Sequence, residues 1–449
     1  MADSLDSGSS VQYGRAGSSP ASRTMQSVIK TRGSHMKTFI VAIPFFDSKM
    51  SVGAYRLNSR AGGKLVGMMA EEMSMSDAVL SPGLDLIKTL GVEPLTGGCP
   101  LFIDLNEYQF LMRVPQTLDI APELLICVLS NSIKTDDTVI ERCKELKELG
   151  FQIAVEGLLE GHTKNPLFEL IDYIIVDVTD FEVGEKFIAT ITALSSLKKI
   201  VINNIAEMDT FNALTGIPNT QYSGRFFSEP ITKGVSKIAP IKINALSLLK
   251  RINEDDFDLG DIADTIGQDP SLSISLLRFI NTIMPREIES IRNAVAILGQ
   301  KDVKRWATTA ISLQLADDKP NEITKLSLIR ARFAENLSKA FEMGVFAQSL
   351  FMMGLFSLLD VILEMPMEKA AGEVSLDENV REALVDKGGN LYKVLDFIHA
   401  YEHANWDEIA IFMVKYNLDL EEVTKAFVDA LEWYKSLLDA IAKDDDATK

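Results

Sequence analysis

The sequence predicts two domains: a (β/α) barrel followed by an all-α helical domain. Two observations carry this. From Met36 to about Lys237 short, β-branched apolar runs alternate with amphipathic stretches, whereas from about Ala239 onward only helical patterns remain. Uninterrupted apolar runs suit strands covered on both faces, as in a mostly parallel sheet. Strand–helix units repeated over ~200 residues favour a barrel over an open sheet. At 449 residues the chain also exceeds one ordinary core.

Taken in order, residues 1–35 are rich in Ser, Gly, Ala and Arg and end in Gly33-Ser34-His35-Met36. They read as a vector-derived, disordered leader. The predicted strands are Phe39–Ala42, Leu101–Ile103, Leu124–Leu129, Phe151–Val155, Tyr173–Val176 and Ile200–Ile202. Between them Asp137–Leu149 reads as an amphipathic helix stopped by Gly150. The barrel is assigned to 36–236 and the helical domain to 237–449. Asp258 opens one helix there, and Asp269-Pro270 another, with Pro at the tolerated first position. Helical spacing continues through Ile323–Met343, Leu350–Leu363, Trp406–Tyr416 and Leu420–Ile441. The stretch Thr232–Pro240 is the candidate hinge.

Composition narrows the function. Hydrophobic residues make up 47% and charged residues 24%, the balance of a globular protein. No apolar run reaches the ~20 residues of a membrane span, and no secretion signal opens the chain, so a cytoplasmic protein is expected. Cys99, Cys127 and Cys143 form neither an even framework nor a Cys-x-x-Cys pair. The net charge of −19, from 64 acidic and 45 basic residues, repels phosphate backbones, and no nucleic-acid partner is expected.

Particular motifs sharpen this. Ala42-Ile43-Pro44-Phe45-Phe46-Asp47 followed by Val52-Gly53-Ala54-Tyr55-Arg56-Leu57-Asn58-Ser59-Arg60 resembles the opening of EAL domains. Leu101-Phe102-Ile103-Asp104-Leu105 and Tyr222-Ser223-Gly224-Arg225-Phe226-Phe227-Ser228-Glu229-Pro230 resemble later EAL segments. Ile266-Gly267-Gln268-Asp269-Pro270-Ser271-Leu272-Ser273, Leu276–Asn281 and Ile288–Gly299 resemble HDOD domains. The order is that of bacterial EAL–HDOD signalling proteins. The resemblance implies an EAL-type barrel and an HD-related helical domain.

EAL enzymes hydrolyse cyclic di-GMP with hard cations held by oxygen ligands. By resemblance, the first metal Glu falls on Arg56, the Asn ligand on Asp104 and the next Glu on Cys127. The Asp-Asp pair falls on Glu156-Gly157, the water-positioning Lys on Ile175 with Asp177 two positions on, and a further Glu on Asn204, with Glu207 kept. The end-strand Gln falls on Ser223. In the helical half the lost His-Asp pair of HD enzymes falls on Ser357 and Leu358. With so many ligands gone, the expectation is a non-catalytic signalling scaffold that binds protein partners, with no metal and no cofactor. A homodimer is left open. The alternative is a cyclic di-GMP receptor that does not hydrolyse, and a third, least favoured reading is an active phosphodiesterase with a rearranged metal site.

Asp104, Glu156, Asp177 and Glu207 fall at or near the C-terminal strand ends, where barrel sites lie. They are read either as a residual single-cation site or as loop residues and helix caps. Arg60 matches the family's phosphate-contacting Arg. Arg56 and Arg60 either bind a nucleotide, or Arg56 pairs with Asp104 or Glu156 and plugs the pocket. His399 and His403 share a helical face but lack a third zinc ligand, which favours a helix end at the surface. Met68, Met69, Met73 and Met75 read either as a flexible surface for varied partners or, the favoured reading, as core filling. Glu254–Asp258 and Asp444–Asp446 read as solvated charge.

Overall fold

The computed structural model describes residues 38–442 apart from 62–82, 85–86, 89–90, 131–132, 134, 158–165, 230–239, 255–257 and 285–287. The leader, the methionine cluster, the candidate hinge up to residue 239 and the two acidic runs in part or whole lie outside the described residues.

Eight strands close into a barrel: β1 Thr38–Phe46, β2 Val52–Ala61, β3 Leu101–Leu105, β4 Leu125–Leu129, β5 Gln152–Glu156, β6 Tyr173–Asp177, β7 Lys199–Ile205 and β8 Thr220–Gly224. The six apolar runs named from the sequence all fall on strands or at their edges. β2 and β8 carry too many polar residues to show as runs, and only the motif resemblance marked them. Neighbours from β2 to β8 pair in parallel, but β1 is antiparallel to both β2 and β8. The reversal has a local cause. Asp47 Oδ1 accepts from the backbone N–H groups of Lys49 and Ser51 at 2.8 and 2.9 Å, making the tight turn that returns β2 alongside β1.

Strand alternation sorts the barrel's side chains. Phe45, Ala54, Phe102, Ile126, Val128, Ala154, Tyr173, Ile175 and Val201 form the inner core. Leu101, Ile103, Leu125, Cys127, Ile153, Ile174 and Ile200 face outward into the larger core beneath the helices. The helix Asp137–Glu148 supplies Val139, Cys143 and Leu146 to that layer. Asp136 caps its start, and Gly150, with φ 90°, ends it as its sequence predicts.

The helical half runs from Pro240–Asn253 to Leu420–Ala442. Asp258 caps Leu259–Gln268, and Asp269 Oδ1 accepts from Leu272 N–H at the start of Pro270–Ile283. The stretch Ile291–Leu315 breaks at Gly299, whose φ of 74° and ψ of 172° only glycine adopts without strain. The two halves meet along β1. Phe39 packs against Tyr401 and Trp406 with ring centroids 5.7 and 6.0 Å away, and Thr424 Oγ1 donates to Thr38 O at 3.1 Å.

Candidate functional site

Arg56 sits on β2 with the parity of Ala54, Asp104 on β3 with that of Phe102, and Glu156 on β5 with that of Ala154, so all three project into the barrel. Arg56 Nη2 donates to Asp104 Oδ1 at 2.7 Å and to Glu156 Oε1 at 2.6 Å, while Nε reaches Asp104 Oδ2 at 3.3 Å. The guanidinium is 12% exposed, its partners 48% and 37%. The cation is therefore sunk below a mouth whose carboxylates still face water.

The protonation shifts look opposed. Burial pulls the Arg56 pKa down, but Asp104 and then Glu156 outweigh it, and the net direction is up. Burial pushes the Asp104 carboxyl up, and Arg56 only partly offsets that, so it too ends raised. The same contact stabilises both charges. Desolvation wins at the carboxylate and loses at the guanidinium.

The other expected site residues disperse. Asp177 Oδ1 accepts from Thr179 N–H and hydroxyl, and Oδ2 from Asn204 Nδ2 at 2.6 Å, which makes it a turn cap. Glu207 precedes the helix Met208–Leu214 without a side-chain cap bond. Arg60 is exposed near the far end of β2, four residues on from Arg56, and takes no part in the network. Cys127 is corrected. It faces outward, burial pushes its thiol up to about 12, and Val128 is the residue of β4 that lines the interior. Alternation along a fully apolar strand cannot be phased from sequence alone, which is why the motif slipped by one.

A metal does not fit these residues. Arg56 occupies both carboxylates that would bind it, and among the described residues no group of three or more His, Cys, Asp or Glu could hold an ion. Near the mouth Ser223 Oγ is buried without a hydrogen-bond partner among the described residues.

The helical half holds a second buried arginine that sequence reasoning missed. Arg330 Nε lies 2.9 and 3.0 Å from the two Glu402 oxygens, Nη2 donates at 2.8 Å, and Nη1 donates to Ser357 Oγ at 3.1 Å. Ser357, one of the two positions where the lost HD pair falls, is thus an acceptor for an ion pair. Its signal was a charged residue in the apolar register of Asn321–Leu337, where Arg330 is 3% exposed. His399 is half-buried beside it, and burial, then Arg330, holds its imidazole well below the usual range. His403 ends its helix at an exposed position, as the sequence suggests.

Residues 238–383 match the HDOD domain model. The helical half carries an HDOD domain. A barrel followed by an HDOD domain is consistent with the EAL–HDOD resemblance. The cyclic di-GMP phosphodiesterase CdgJ of Vibrio cholerae is 24% identical over 405 residues, 89% of this chain and 93% of the relative. The Bacillus subtilis protein YuxH is 27% identical over 417 residues, 90% of this chain and all of the relative. Among solved structures, Klebsiella pneumoniae BlrP1 in a manganese and cyclic di-GMP complex aligns at 16% identity and TM-score 0.37, over 44% of this chain and 57% of that one. An EAL domain protein from Listeria monocytogenes aligns at 14% and 0.34, over 48% and 94%. The CdgJ match corrects one expectation. A non-catalytic scaffold, with a non-hydrolysing receptor as its alternative, does not stand against a relative of nearly full length that is named a phosphodiesterase. Replacement of ligand residues does not by itself establish loss of activity. No described helix is long and apolar enough to cross a membrane.

Proposed function

We propose that this protein acts on cyclic di-GMP as a phosphodiesterase at the mouth of its barrel, taken as residues 36–236, with Arg56 meeting the substrate phosphate. The carrying observation is the Arg56 fork, which spans two carboxylates at the rim. A guanidinium fork suits carboxylate and phosphate alike, so an incoming phosphodiester can replace one partner with the other. The name of CdgJ supplies the substrate and reaction class. Once Arg56 turns to phosphate, Asp104 is released as a candidate general base that takes a proton from the attacking water. Its raised pKa brings it closer to a working pH. The P–O bond to one sugar breaks, and the departing sugar oxygen is protonated from solvent. Because the residues do not fit a metal, this reading routes no step through one.

The test is incubation of the full chain with cyclic di-GMP, with magnesium or manganese and with chelator, following release of the linear dinucleotide by chromatography. Expected is turnover that survives chelation and falls about a hundredfold or more in Arg56→Met and Asp104→Asn, the scale of losing one acid–base or charge contact. No linear product in any condition would overturn the activity. Turnover that disappears with chelator would overturn the roles given to Arg56 and Asp104.

A further inference from the structure

At the end of the barrel away from the mouth, where β2 and β3 begin, lies a cavity of about 840 Å³ between the two halves. Its barrel wall carries Lys49 and Tyr55, and its helical wall carries Glu322, Lys325 and Tyr434. Tyr55 neighbours Arg56 on β2 and faces the opposite way, so this space is separate from the mouth.

Glu322 is 8% exposed. Its Oε2 accepts from Tyr55 hydroxyl at 2.7 Å, while among the described residues Oε1 meets Lys325 Nζ at 3.5 Å. Lys325 instead spends its ammonium on Tyr55 hydroxyl at 2.7 Å and Leu95 O at 3.2 Å, with its Nζ 4.0 Å from the Tyr55 ring centroid. A carboxylate offers about four acceptor sites, so Glu322 keeps acceptor capacity beyond these two contacts. Lys325 already balances the charge of Glu322, so the carboxylate wants neutral N–H donors rather than another cation. At the exposed rim, the Lys49 ammonium has no carboxylate partner among the described residues. The cavity lining thus combines a carboxylate with acceptor capacity to spare, an exposed ammonium and two tyrosine rings.

We propose that this cavity is a second ligand site, for a guanine nucleotide. Glu322 accepts from the paired N–H donors of the base, Tyr434 supplies an aromatic wall, and Lys49 takes the phosphate. Adenine presents no such donor pair and is discriminated against. The proposal does not depend on what the mouth does.

Calorimetric titration of the full chain with GMP and with AMP tests it, in wild type and in Glu322→Gln, Lys49→Glu and Arg56→Ala. GMP is expected to bind saturably, AMP and either cavity variant about tenfold more weakly or worse, the scale of one lost charged hydrogen bond. In Arg56→Ala, where the mouth has lost its phosphate contact, saturable GMP binding is expected to persist. Absence of saturable GMP binding, equal affinity for AMP, or loss in Arg56→Ala with Glu322→Gln unaffected would each overturn it. Lys49 is exposed, so its variant decides the matter even where Glu322→Gln unfolds.

Discussion

Replacing Arg56 with Met keeps most of the side chain's bulk and removes its charge. Breaking a fully buried ion pair costs about 3–5 kcal/mol, and an exposed one contributes about 0–1. Here the cation is 12% exposed but the anions 48% and 37%, so water rescues them once the guanidinium is gone. The expected loss lies between the two limits, at about 1–2 kcal/mol. The pH dependence has a defined sign. Asp104 already titrates above its usual range in the folded protein, and without Arg56 the repulsion from Glu156 pushes it further up. The folded state then binds protons more readily than the unfolded state, so the deficit of the variant shrinks as pH falls through the raised values. Thermal or denaturant unfolding of both proteins from neutral pH to about pH 4.5 reads this directly. A loss above about 4 kcal/mol, or a deficit that grows on acidification, would refute the partly screened pair deduced from these exposures.

Other consequences are as direct. Arg330→Met strips a pair whose members are 4% and 13% exposed, and should cost the full 3–5 kcal/mol or so, lowering Tm by roughly 10 °C. Adding Glu402→Leu should recover much of that, and calorimetry of the single and double variants decides. His399 stays neutral when folded but takes a proton near its ordinary pKa when unfolded, so stability is full above about pH 6.5 and falls below it. His399→Gln should flatten that fall by up to about 1.4 kcal/mol per pH unit, and an unchanged slope would remove the residue from the account. Gly354→Ala places a Cβ 2.5 Å from Arg330 O and 2.6 Å from Ala331 Cα, so it should force Asn321–Leu337 and Ala347–Phe356 apart at a cost of about 1–3 kcal/mol or more.

What could be read in advance follows the physics of each signal. The apolar runs of β4, β6 and β7 are buried on both faces, so composition alone marks them. β2 carries Arg56, Asn58, Ser59 and Arg60, and only its pairing with β1 and β3 makes it a strand. The antiparallel first strand was hidden because its cause is a side-chain acceptor at Asp47, a turn feature with no periodic trace. At the site, Arg56, Asp104 and Glu156 could be named because motifs place them, yet 48 and 100 residues separate the partners. Which carboxylates Arg56 meets is set by barrel closure, and the sequence holds no local record of that. Arg330 left one trace, a charge in the apolar register of its helix, but its partner Glu402 lies 72 residues away with no motif to join them.

The two arginines show how one chemical device serves two ends. Each sits where the resemblance places a metal ligand or next to such a position, and each draws carboxylates into a forked pair. Exposure separates them. Arg330 and Glu402 are both shut away from water, so any competing anion must first pay the desolvation of a whole buried pair. That fixes the packing of Asn321–Leu337 against Gly389–Glu402 and leaves no room for exchange. Arg56 is held by carboxylates that water reaches, so its pair is only about 1–2 kcal/mol deep, and a phosphate delivered with the binding energy of a dinucleotide can displace it. A latch of that depth lowers apparent affinity about five- to thirtyfold without closing the site. Chemistry is therefore to be sought at the barrel mouth, and rigidity at the helical pair.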